Sequence, residues 1–172
     1  MKPFLLRHSV HNKIIILDFA EYCQYNLFVI WLKTLEWSFL EFIDEDGVAP
    51  FSSVWMMQQP EEAQAAIDTR ILIMKSLDRP QWSQKWMSSY TGYVKLFELR
   101  IPHNKVQYRP LGCYGPAQRE FTILIGAIER NSRIPKSTLN VAMSRMQLVL
   151  NDRRWVREYN FDTAQSLEET SG

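Results

Sequence analysis

The stretch VKLFELRIPHNKVQYRPLG, from Val94 to Gly112, constrains the fold more than any other part of the chain. Two runs of alternating apolar and polar residues flank a Pro-His-Asn turn, the pattern of a β-hairpin. A turn centred on His103-Asn104 sets Arg100 across from Gln107 and Glu98 across from Arg109. Alternation then collects Glu98, Arg100, Gln107 and Arg109 on one face. Phe97, Leu99, Ile101, Val106 and Tyr108 fall on the other. The apolar face needs a cover, and helices packed on it supply one. The polar face has two readings. In one, Glu98 and Arg109 form a cross-strand ion pair on a wet surface, worth a few tenths of a kcal/mol. In the other, the face holds phosphate, which the planar fork of arginine grips through paired oxygens.

The remaining pattern is consistent with an α+β fold. LEWSFLEFI alternates Trp37, Phe39 and Glu41 against Ser38, Leu40 and Phe42, so it reads as a strand closed by turn residues Asp44–Gly47. APFSSVWMMQQ suits a short helix with Pro50 near its first turn. PEEAQAAIDTRILIMKSL is the clearest helix. Glu61 and Glu62 suit its positive end and Lys75 its negative end, and Ala63, Ala66, Ile67, Ile71 and Met74 share one face. Residues 78–92 read as a polar loop with two tryptophans. Strands are expected over 93–101, 105–111 and 119–129, with Gly115-Pro116 turning between the last two. A helix follows from Pro135 and Ser137. The expected order from residue 34 is β-α-α-β-β-β-α, a small twisted antiparallel sheet with helices on one face. Residues 1–33 form an extension in which Ile14–Leu17 and Leu27–Leu32 suit strand or helix equally. The expected domain covers 34–159, and 160–172 is an acidic tail expected to be disordered.

The 172 residues suffice for one domain with a core, and a hydrophobic fraction of 46% is that of an ordinary globular protein. Net charge is +1, which argues against a protein that coats nucleic acid. From Val94 to Tyr159, however, 12 Lys and Arg stand against 5 Asp and Glu, while the segments on either side are each −3. That asymmetry suits an anionic partner, a phosphate backbone or an acidic protein, and equally a solvated basic face. Cys23 and Cys113 match no metal spacing and read as two buried free thiols in a reducing cytoplasm. Asp18, Glu21, Gln24 and Asn26 interrupt the apolar N-terminal run, so no membrane span is expected. There is no glycine-rich phosphate loop, nucleophile elbow or metal cluster, and neither metal nor cofactor is expected.

The segments LFELRI, VQYRPLG and EFTILIGAIER…IPKSTLNVAMSRM, preceded by WSFLEFIDEDG and the long helix, together resemble the RelE/ParE toxin superfamily. The likeness is to its HigB-like, phage-derived branch and covers roughly residues 35–150. The resemblance implies a small antiparallel sheet packed on helices. It also implies a type II toxin that cleaves mRNA in the ribosomal A site and is silenced by a cognate antitoxin protein. By position, Arg100 matches the arginine of the family's ELR strand and Arg109 that of its YR strand. Arg130 and Arg133 fall where the family tends to carry lysines. Glu129 stands where many members have the first lysine of a pair, and Pro110 departs from the usual apolar run.

Metal-free RNA cleavage must take a proton from a 2′-hydroxyl, stabilise a doubly charged phosphorane and protonate the leaving oxygen. For that chemistry Arg100, Arg109 and Arg130 are the candidate stabilising cations, and Glu98 or Glu129 the candidate base. Arg133, Lys136 and Gln107 become candidates for binding substrate. His103, at the expected hairpin tip, reads as an exposed turn residue. Two other readings use the same scaffold: a non-catalytic protein that binds an antitoxin-like partner or nucleic acid, and a ParE-like gyrase inhibitor.

Overall fold

The computed structural model describes residues 6–10, 13–17, 36–77 and 81–161. The chain divides into two compact units, residues 1–36 and 37–172. In the first, β1 (Leu6–Val10) and β2 (Lys13–Leu17) pair antiparallel, Leu6 opposite Leu17 and Val10 opposite Lys13. Ile14–Leu17 is therefore strand. Leu27–Leu32, Cys23 and residues 162–172 of the tail lie outside the described residues.

The second unit is built on a six-stranded sheet. Its strands are β3 (Ser38–Phe42), β4 (Met87–Ser89), β5 (Phe97–Leu99), β8 (Leu111–Tyr114), β9 (Glu120–Ile125) and β10 (Val156–Glu158). Their spatial order is β10-β3-β9-β8-β5-β4. The sheet is mixed, which corrects the antiparallel expectation: β3 runs parallel to β9, Ser38 beside Glu120 and Glu41 beside Ile123. Side-chain alternation specifies faces but is blind to strand direction, so this pairing carried no sequence signal. Beyond the sheet, β6 (Ile101–His103) and β7 (Val106–Tyr108) form a separate two-stranded ladder.

The expected helix from Pro60 is α1 (Glu61–Ser76), and Ala63, Ile67, Ile71 and Met74 are its buried stripe. Each fully buried Ile or Met here contributes about 1.5–3 kcal/mol. α1 packs with Phe39, Leu99, Ile101, Tyr108, Phe121 and Ile123. α2 (Lys136–Asn151) packs with Phe42, Leu96, Leu111, Cys113 and Leu124, residues of the opposite sheet face. Helices therefore cover both faces, not one. The error came from reading the Glu98 face as polar throughout. It is polar only around Glu98, Arg100, Gln107 and Arg109, and Leu96, Leu111 and Cys113 extend it beneath α2.

Several short elements depart from the expected β-α-α-β-β-β-α order. Pro50–Trp55 is a π-helical turn running into a 3-10 turn, Met56–Gln58, rather than one α-helix. Trp55 from this turn lies against the backbone at Gly126, where a Cβ would meet its ring at 1.9 Å. The loop 78–92 contains β4, and the three expected strands are each shorter. α2 ends at Asn151. Asp152 is extended and its carboxylate accepts from the Arg154 N–H, starting a new 3-10 turn that leads into β10. β4 and β10 are three residues each, too short for a periodic signal.

Candidate functional site

The hairpin turn falls on Asn104-Lys105, with φ of 45° and 65°, the two positive values of a type I′ loop. Ile101 pairs with Tyr108, Pro102 with Gln107 and His103 with Val106. The turn is thus one residue further along than His103-Asn104, and every cross-strand partner shifts by two. His103 ends β6, half-buried, instead of forming the tip. The same register runs on through Glu98 opposite Leu111 and Phe97 opposite Gly112. It sets Arg100 across from Arg109 and removes Glu98 from that position. A two-residue shift preserves faces, so Glu98, Arg100, Gln107 and Arg109 still share one side.

Both arginines sit at the break between the two ladders. Pro110 has no N–H to donate, yet its carbonyl accepts from Leu99 N–H at 2.8 Å. The chain after β9 runs beside β7: Arg109 N–H donates to Ala127 C=O at 2.8 Å, and Glu129 N–H to Gln107 C=O at 2.9 Å. Glu129 thereby joins the arginine face, as expected for a third strand beside the hairpin.

Four charges meet there. Arg100 Nε donates to Glu98 Oε1 at 2.8 Å and its Nη1 to Gln84 C=O at 3.1 Å. Ser88 Oγ donates to the same Glu98 oxygen at 3.1 Å. Arg109 Nη2 lies 2.7 Å from Glu129 Oε2, and its Nε is 3.9 Å from Glu98 Oε2. The cluster is neutral: two guanidinium groups against two carboxylates. Exposure separates the arginines. The Arg109 side chain is 11% exposed and that of Arg100 39%. Arg109 Nε and Nη1 are buried with no hydrogen-bond partner.

Buried glutamates recur in this sheet. Glu41 is held by Arg157 Nε at 2.9 Å and by the Ser52 hydroxyl at 2.9 Å, and Glu120 accepts from both terminal nitrogens of Arg153. Those two pairs fasten the segment after α2 to the sheet, a structural task. The Glu98 cluster differs from them by having two arginines and two unsatisfied guanidinium nitrogens.

The other candidates are more scattered. Arg130 and Arg133 bond to each other through their backbones across a tight turn at Asn131-Ser132, where φ is 50° and 58°. Both side chains are exposed, as is Lys136 at the start of α2. Gln107 is half-buried on β7. Gln84 and Ser88 were missed. They come from the segment read as a polar loop, and no local pattern marks a carbonyl that will meet Arg100 sixteen residues away or a hydroxyl that will meet Glu98 ten residues away. Among the described residues, no group of three or more His, Cys, Asp and Glu side chains is arranged to hold a metal ion, and no helix is long and apolar enough to cross a membrane.

Compared with known families and with curated proteins, the chain matches no family model and no curated sequence.

Proposed function

We propose that the chain is the toxin of a type II toxin–antitoxin pair and acts as a metal-independent, ribosome-dependent mRNA endoribonuclease. The observation that carries this reading is the convergence of Arg100, Arg109 and Glu129 on one sheet face, with the exposed turn Arg130–Arg133 directly following in the chain. Arg100 has a free donor: its Nη2 makes no hydrogen bond among the described residues, and the side chain is 39% exposed. In this reading Arg100 meets the scissile phosphate and stabilises the charge that builds on it. Glu129, 24% exposed, is the base that takes the 2′-hydroxyl proton. Arg109 keeps that carboxylate in position rather than touching substrate. A cognate antitoxin would then have to cover this face.

The neutral, internally paired cluster favours a second reading, a binding protein without catalysis. Phosphate reaching Arg109 would have to displace Glu129, since its guanidinium is already engaged and nearly sealed.

Controlled induction in a bacterial host, comparing the natural chain with Arg100→Ala, tests the first reading. Growth arrest that the variant relieves, accompanied by new mRNA 5′ ends in the presence of ribosomes, is the expected result. Well-folded protein that neither arrests growth nor cuts mRNA would overturn it. DNA-damage signalling without cut mRNA would point to gyrase instead.

A further inference from the structure

The hairpin turn at Asn104-Lys105 has a neighbour. The chain after β9 runs antiparallel to β7: Tyr108 pairs with Ile128, and Glu129 N–H donates to Gln107 C=O. That register carries Arg130 alongside Val106 and puts the next turn, Asn131-Ser132, at the same end of the ladder as the first. Arg133 closes this second turn by pairing back to Arg130. Two tight turns therefore project side by side, about two strand spacings or roughly 10 Å apart. Lys105, Arg130 and Arg133 are exposed, and among the described residues none of the three has a carboxylate partner. Asn104, Asn131 and Ser132 fill the remaining positions and are exposed as well. Between Leu99 and Asn151 the sequence holds two acids, and both are engaged elsewhere, Glu120 by Arg153 and Glu129 by Arg109. The backbone is strained at this end: Lys105 and Ser132 hold φ of 65° and 58°, where glycine would sit with less cost. Strain kept at two surface turns points to a task for their side chains.

We propose that the two turns form a docking tip for the phosphate backbone of a nucleic-acid strand, bound without regard to base. Lysine, arginine, asparagine and serine are the side chains that contact phosphate and sugar oxygens. A protein partner suits the tip less, because interface cores are apolar or aromatic and depleted in lysine, and no apolar side chain stands in either turn. No aromatic ring stands there either, so a base finds no stacking surface and charge carries the recognition. Asn104 lies four residues beyond Arg100, at most about 13 Å along the strand, so the tip is a contact separate from the proposed cleavage position. The inference goes beyond the nuclease reading: a protein that binds nucleic acid without cutting it would use the tip in the same way.

The test measures binding of the full chain to a short labelled oligouridine by fluorescence anisotropy across a salt series, without ribosomes. Three phosphate contacts on a single strand should give a log–log salt slope of about −2 or steeper. The triple variant Lys105→Gln/Arg130→Gln/Arg133→Gln replaces exposed side chains only, and it should reduce the magnitude of that slope by about 2. Arg154→Gln is the control. Its side chain is 71% exposed and paired with Asp152, away from both turns in sequence, and its loss should leave the slope unchanged. Oligothymidine should bind about as well as oligouridine, since the phosphates are the same. A triple variant with the natural slope, or an Arg154→Gln slope that falls as far as the triple variant's, would overturn the proposal. A preference of more than about tenfold for oligouridine would place the 2′-hydroxyl in the recognition and overturn a phosphate-only tip. Polyglutamate displacing oligouridine at comparable charge concentration would overturn it in favour of an acidic protein. Salt-dependent binding that the triple variant loses, with no mRNA cut on ribosomes, would sink only the nuclease reading. Cut mRNA with RNA binding unchanged in the triple variant would sink this inference alone.

Discussion

Arg109 and Glu129 meet at 2.7 Å at the point where the β6–β7 ladder separates from the main sheet. Arg109 is 11% exposed and two of its nitrogens have no partner, so this one contact neutralises most of a buried charge. Glu129→Gln should destabilise the fold by about 1–3 kcal/mol, because it leaves a desolvated guanidinium with only Glu98, 3.9 Å away and already bonded to Arg100, as counter-charge. Arg100→Ala removes a contact that is 39% exposed and should change stability by less than about 1 kcal/mol. Denaturant midpoints at equal m-values would check both. Equal losses would contradict the division of labour between a positioning arginine and an accessible one.

Lys105 has φ of 65° in the hairpin loop, a conformation that costs a side chain about 1–2 kcal/mol and glycine much less. Lys105→Gly should raise stability by about 0.5–1 kcal/mol, after the extra chain entropy of glycine is deducted. Thermal unfolding measures it. A lower Tm would mean that Lys105 makes a compensating contact.

Gly126 admits the Trp55 ring to within 1.9 Å of where a Cβ would stand. Gly126→Ala must push the indole away from the edge of Tyr108, 6.2 Å from it centroid to centroid. The expected loss is about 3 kcal/mol, at the upper end for an overpacked site. Chemical denaturation should register it, with a change in tryptophan emission.

Burial pushes the Cys113 thiol up from 9.0 to about 12. Its stabilising contribution is present in full below the unfolded pKa of 9.0 and is lost as pH rises towards 12. Tyr159, raised by burial and by its hydrogen bond to Asp68, adds alkaline sensitivity of the same sign. In a Cys23→Ser background the remaining thiol should resist alkylation at pH 8 and react fully in denaturant. Rapid native labelling would refute the burial of Cys113.

The long helix was legible because four of its five expected core positions, Ala63, Ile67, Ile71 and Met74, are fully buried, while Ala66 is partly buried against the same cluster. Faces were legible for a similar reason. The misplaced turn moved partners by two residues, and period-two alternation survives that error. Pairing direction was not legible, since Phe39 alternates identically whether its neighbour Phe121 runs with it or against it. The charged cluster was half legible. Glu98, Arg100 and Arg109 could be gathered from the hairpin alone. Whether Arg109 would lie sealed against Glu129 or open to solvent depended on how the chain after β9 returned beside β7, a long-range event with no local signature.

The two outermost strands of the main sheet, β4 and β10, have three residues each. A border that short offers an incoming chain only a few unpaired amides, too few to template stacking of one molecule upon another. The second unit should therefore stay monodisperse at concentrations where a sheet with long, flat margins would assemble into fibrils.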